Sequence, residues 1–188
     1  MFERIQHHAS GRNVAIALTV FVLALGVINT TATLFYNTTG GYGLLDLGGG
    51  ANLFDDRGSF TPAKAYMIMS HYGQSGIHRY YGMLVADIIF PMTLGVFSLL
   101  SILWALKRIA PRRQWLYLLA LVPPAYTLTD WMENLGIVTL LLNYPEQLPQ
   151  LAILTNFLRG IKSLLAGSSL VLVLLTWVFA TRKRVRLE

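Results

Sequence analysis

The chain contains no cysteine, which excludes disulfides, thiolate catalysis and cysteine-bound metal. Charge is scarce as well. Asp, Glu, Lys and Arg make up 13% of the 188 residues, about half the share of an ordinary soluble domain. Several catalytic signatures are also missing. No Gly-Lys-Ser/Thr follows a glycine-rich stretch, no His-Glu-x-x-His occurs, and no serine sits in Gly-x-Ser-x-Gly. These absences remove the usual phosphate loop, the metalloprotease helix and the nucleophile elbow. No cofactor motif is present, and no cofactor is expected.

What is present is apolar length. Hydrophobic residues make up 54% of the chain and come in blocks too long for ordinary core helices. Four blocks stand out, at 14–36, 81–106, 114–142 and 149–180. Each exceeds the roughly 20 residues that cross a hydrocarbon core. The expectation is an all-α integral membrane protein, a single domain of four transmembrane helices with a long outer loop, 37–80. The first block is longer than a signal-peptide core and no Ala-x-Ala site follows it, so a removable signal peptide is not expected.

The formal net charge of +6 belongs to the same picture. Arg4 and Arg12 precede the first block, Lys107, Arg108, Arg112 and Arg113 link the second and third, and Arg182, Lys183, Arg184 and Arg186 follow the fourth. The link between the third and fourth has Glu146 and no basic residue. Basic flanks stay on the cytoplasmic side, so both termini are expected inside, in a bacterial inner membrane. The basic excess therefore signals membrane lipids as partners and no nucleic acid. Tyr36, Tyr80, Tyr81 and Tyr144 then fall at outer ends, and Trp104, Trp115, Trp177 and Phe179 at inner ends, as an interfacial aromatic belt would.

The outer loop has two parts. Gly40, Gly41, Gly43, Gly48, Gly49 and Gly50 mark a turn-rich stretch. Thr61-Pro62 then reads as a helix start, and residues 62–72 place Ala65, Ile68, Met69 and Tyr72 on one side. This predicts a short interfacial helix, ended by Gly73 before a second helix continues into the next span.

The most informative residues are polar ones inside the spans: Asn29, Asp87, Asp130, Glu133, Asn134, Arg159 and Lys162. Each is costly alone in lipid and needs a partner, a cavity or water. Counted from the outer ends, Asn29, Asp87, Glu133 and Arg159 fall at similar depths in the outer half of the bilayer, with Asp130 and Lys162 slightly deeper. Asp130, Glu133 and Asn134 share a helix face with Tyr126 one turn away, and Arg159 shares one with Lys162. Asp130 and Glu133 are expected to face Arg159, with Asp87 bordering the same space. Two readings stay open: a structural ion-pair cluster, or an outer-facing cavity where these charges bind or transform a ligand.

Among the histidines, His71 and His78 flank the outer entrance, beside Arg79. With Asp87 or Glu133 they offer a weak alternative metal site, but their spacing is not a ligand motif.

Gly73, Gly76, Arg79 and Tyr80/Tyr81, then Asp87 with Phe90-Pro91, then Asp130 with Glu133-Asn134, resemble a group of uncharacterised four-span membrane proteins. Those carry Gly-x-x-Gly-Arg-x-x-Tyr, Asp-x-x-Phe-Pro and Asp-x-x-Glu-Asn patterns. Tyr144-Pro145 and Lys162 also resemble the group's positions, whereas His78-Arg79 stands where the group has Gly-Arg. The likeness spans residues 60–165 and implies four spans and these polar positions, but no reaction.

Three function classes follow. In a lipid- or amphiphile-modifying enzyme, Asp87, Asp130 and Glu133 supply acid/base groups, while Arg159, Lys162 and Arg79 hold an anionic headgroup, with Asn134, His78, His71, Asn29 and Tyr126 lining the site. A binding or transport protein would use the same cavity for a lipid or small polar solute, as one half of a homodimer. A non-catalytic assembly subunit would keep the charges paired and dry.

Overall fold

A computed structural model describes residues 7–38, 60–111 and 113–185. The glycine-rich stretch of the outer loop lies outside the described residues. Among the described residues four long α-helices follow one another: α1 (Gly11–Thr38), α2 (Pro62–Ile109), α3 (Val122–Asn143) and α4 (Pro149–Val185), with a 3-10 helix, Gln114–Leu121, leading into α3. No strand occurs among the described residues. Three helices are long and apolar enough to cross a membrane: Gly11–Leu34, Pro62–Ile109 and Pro149–Arg182.

The block at 114–142 is not a single α-helix. Pro123 and Pro124 lack the N–H groups that an α-helix would direct to the carbonyls of Leu119 and Ala120. The preceding eight residues wind instead as a 3-10 helix, and Val122 N–H closes onto Leu119 O. The prolines then occupy the first turn of α3, where a missing donor costs nothing. What remains is a 22-residue helix that carries Asp130, Glu133 and Asn134.

Helix starts follow their capping residues. Ser10 Oγ accepts Asn13 N–H at 3.2 Å before α1, and Thr61 Oγ1 accepts Lys64 N–H at 3.2 Å before α2. Within α2 the helix breaks at Gly73, whose φ of 59° and ψ of −176° suit glycine alone. The segment from Pro62 to Tyr72 is thus a separate short helix, and its face of Ala65, Ile68, Met69 and Tyr72 is buried.

The chain divides into two compact units. One comprises Met1–Leu23, Pro91–Leu128 and Lys162–Glu188. Its core joins Val14 and Ala17 of α1 to Leu94, Ile102, Leu103 and Leu106 of α2, with Tyr117, Ala120, Tyr126 and Val173. A Cβ on Gly95 would collide with Thr127 Oγ1, so these helices meet through a small residue. Thr127 Oγ1 donates to Pro91 O at 3.0 Å. Trp104 packs on Trp177, with centroids 5.4 Å apart.

The other unit comprises Ala24–Phe90 and Thr129–Ile161. Its core packs the short helix and Ile77, Tyr80, Met83 and Leu84 against Ile137, Leu140, Leu141 and Ala152. Gly136 admits Thr155 the way Gly95 admits Thr127. Tyr80 is fully buried and stacks on Tyr72 at 5.7 Å. It is a core residue and not a member of an interfacial belt, because the helix break at Gly73 folds its ring back onto the short helix.

Candidate functional site

The site is built from α2 outward. Pro91 has no N–H to give the carbonyl four residues earlier, which is that of Asp87. The Asp-x-x-Phe-Pro spacing therefore removes the usual helical donor to the carbonyl of the same residue whose side chain is acidic. One residue on, Ile88 O accepts Trp131 Nε1–H from α3 at 3.1 Å, which ties the two helices together at this level.

On α3, the i and i+4 positions of Asp-x-x-Glu-Asn place Asp130 and Asn134 one turn apart. Asn134 Nδ2 donates to Asp87 Oδ2 at 3.0 Å and to Asp130 Oδ2 at 3.2 Å. One amide thus holds two carboxyl groups from two helices, with their bonded oxygens roughly 5 Å apart by hydrogen-bond geometry. All three side chains are at least 95% buried. Asn134 Oδ1 is buried and has no hydrogen-bond partner among the described residues.

Glu133 and Arg159 are buried in the same unit. The Arg159 guanidinium lies over the Phe60 ring, 5.6 Å from its centroid, and Phe60 N–H donates to Asn156 Oδ1 at 2.8 Å. Asn156 and Arg159 are one turn apart on α4. At the start of the same helix, Tyr66 OH accepts Leu148 N–H. The short helix is therefore fastened to α4 both before and within its first turns.

Four of the remaining candidates, Asn29, His71, His78 and Arg79, are exposed. Asn29 is exposed and its Nδ2 donates to Leu25 O at 2.7 Å, so it turns onto its own helix and does not join the acids. Neighbouring Thr30, Thr31 and Thr33 make the same backbone bonds. His71 is exposed and donates Nδ1–H to Met67 O at 2.7 Å. His78 is exposed with its ring against Tyr81, and Arg79 is exposed. Among the described residues no three His, Asp or Glu side chains converge on a metal position, so the alternative site of His71 and His78 with Asp87 or Glu133 is not assembled. Tyr126 is buried and Lys162 half-buried, both in the other unit.

Phe60, Trp131 and Asn156 were not legible as site residues. Only Asn156 carried a signal, its i, i+3 spacing from Arg159.

No family model, curated protein or solved structure matches this chain.

Proposed function

We propose that the chain is a four-span integral membrane protein that modifies the headgroup of a lipid or related amphiphile, using Asp87 and Asp130 as an acid/base pair. The 3-10 helix and α3 together make the fourth crossing in this scheme. The termini lie in the cytoplasm and residues 37–80 outside, in keeping with the basic flanks and with the resemblance to the four-span group.

The observation that carries the chemistry is the state of Asn134. Its amide nitrogen serves both carboxyls, while its buried Oδ1 accepts nothing from the described residues. A buried acceptor without a donor costs about 1–3 kcal/mol, a poor arrangement for a cluster that exists only to join helices. A hydroxyl or amine on a headgroup would satisfy Oδ1 and come within reach of both carboxyls. One carboxylate then takes the proton from an attacking water as its oxygen bonds to phosphorus, and the other, protonated carboxyl gives its proton to the headgroup oxygen as the phosphorus–oxygen bond breaks. Arg159 would stabilise negative charge that develops on the reacting headgroup. The long apolar helices suit a substrate that arrives through the bilayer.

The test is direct. Wild type, Asp87→Asn and Asp130→Asn are reconstituted in vesicles of phosphatidylethanolamine and phosphatidylglycerol, and the lipids are followed by mass spectrometry. Headgroup loss or exchange is expected with wild type, and a fall of about 100-fold or more in each variant, with folding retained. Wild type that leaves every headgroup intact defeats the proposal. Variants that lose only folded yield assign the cluster to a structural role.

A further inference from the structure

Both hydrogens of the Asn134 amide nitrogen are committed. One bond runs to Asp87 Oδ2 on α2 and the other to Asp130 Oδ2 on its own helix, at 3.0 and 3.2 Å. The other end of the same amide, Oδ1, is buried and accepts no hydrogen bond among the described residues, on a side chain only 5% exposed. Turning the amide over gives no relief. Oδ1 would then meet an ionised carboxylate, and both are acceptors only. The acids therefore hold the amide one way round, with its nitrogen between them and its oxygen directed away.

The chemistry of an occupant decides what becomes of that oxygen. A group that fills the space beside Oδ1 excludes water from it, so it must itself donate or leave the acceptor unpaired in a dry site. A site of this kind rejects an analogue that lacks the donor far more strongly than one that differs by a methyl group. Phospholipid headgroups sort cleanly on this criterion. The ethanolamine ammonium offers N–H donors and the glycerol headgroup offers hydroxyls, in both cases two carbons from the ester oxygen. Choline has its nitrogen at the same place and the same charge as ethanolamine, but no donor.

We propose that Asn134 Oδ1 is the specificity determinant of this site, which accepts phospholipid headgroups bearing an N–H or O–H donor and rejects the quaternary choline headgroup. This rests on the reading of Asp87 and Asp130 as groups that act on a lipid headgroup, and it adds the class of headgroup. The amide oxygen holds the far end of the headgroup, while the carboxyls held by the amide nitrogen serve the ester bond two carbons away.

Successive N-methylation of palmitoyl-oleoyl phosphatidylethanolamine tests this. Charge stays fixed and size grows evenly along the series, but the last donor disappears only at the third methyl, in phosphatidylcholine. Binding of the first lipid to delipidated wild type in a neutral detergent is read by native mass spectrometry. The first two methyls should each weaken binding about threefold or less, and the third about 10- to 100-fold. Phosphatidylglycerol is the second arm: binding as tight as that of phosphatidylethanolamine shows that a hydroxyl donor suffices, and binding as weak as that of phosphatidylcholine narrows the donor to N–H. Equal binding across the methylation series overturns the proposal, as does an even decline with each methyl, the mark of size alone. Asn134→Leu removes the acceptor and should cut the penalty at the third methyl to about threefold or less. A folded variant that keeps the full penalty also overturns the proposal, and the wild-type series decides it if the variant does not fold. Binding is read without turnover, so the two proposals fail separately. Wild type that shows the step but alters no headgroup defeats the acid/base chemistry and leaves the donor requirement standing. Equal turnover of the dimethyl and trimethyl lipids does the reverse.

Discussion

Replacing Asn134 by leucine keeps a side chain branched at Cγ while deleting the amide. Two hydrogen bonds disappear, to Asp87 and Asp130. Interhelical hydrogen bonds in membrane proteins average about 0.6 kcal/mol and reach about 1.7, whereas bonds to charged groups contribute about 1.5–3 kcal/mol each. Burial decides between these figures. Both acceptors are at most 4% exposed, so solvent cannot replace the lost donor, and with one carboxyl ionised and one protonated, as the acid/base pair requires, the two bonds contribute about 2–4.5 kcal/mol. The substitution also removes the buried, unpartnered Oδ1, which returns about 1–3 kcal/mol. The net loss is therefore about 1–2 kcal/mol. A double-mutant cycle with Asp87→Leu isolates the bond across the helices, and thermal unfolding in a fixed detergent, followed by tryptophan fluorescence, supplies the readout. In the Asp87→Leu background, Asn134→Leu should lower Tm by roughly 5 °C less than in wild type. Strictly additive shifts would refute the bridging role of the amide, whatever the size of the single effects.

Three further outcomes follow from the fold. Gly136→Ala drives a methyl into Thr155 and should cost about 1–3 kcal/mol of stability, partly recovered with Thr155→Ala; a wild-type melting curve for the single variant contradicts the close approach. Gly73→Ala forces a side chain into a glycine-only conformation and should cost about 1–3 kcal/mol, seen as faster proteolysis at the break. Accessibility reporters placed near Gly49 and after Arg186 should fall on opposite sides of the membrane, and labelling of both from one side would reverse the proposed topology.

Local patterns were the most legible part of this molecule. Thr61-Pro62 announced the short helix, its i, i+3, i+4 apolar face marked the side that became buried, and Gly73 marked the break. All three depend on chemistry within one turn of chain. The approach of Asp87 to Asn134 was legible only as a shared depth, because periodicity fixes the height of a residue along a helix and not its rotation toward a neighbour. Asn29 shows the limit. Its depth matched the acids, but an amide can bond to its own backbone four residues back, and that local bond won. The change of helix type inside the third block was not legible, because hydropathy counts apolar residues and is blind to the two N–H groups missing at Pro123 and Pro124. Tyr80 likewise looked interfacial by position, whereas packing across the glycine break took it into the core.

The fastening of Phe60 has a mechanical consequence. Its backbone is tied to Asn156 and its ring covers Arg159, two side chains a single turn apart on one helix. Peeling the chain away at Phe60 therefore cannot bare the guanidinium gradually. The latch and the cover are the same residue, so the hydrogen bond to Asn156 and the ring's contact with the Arg159 guanidinium are lost in one movement or kept together.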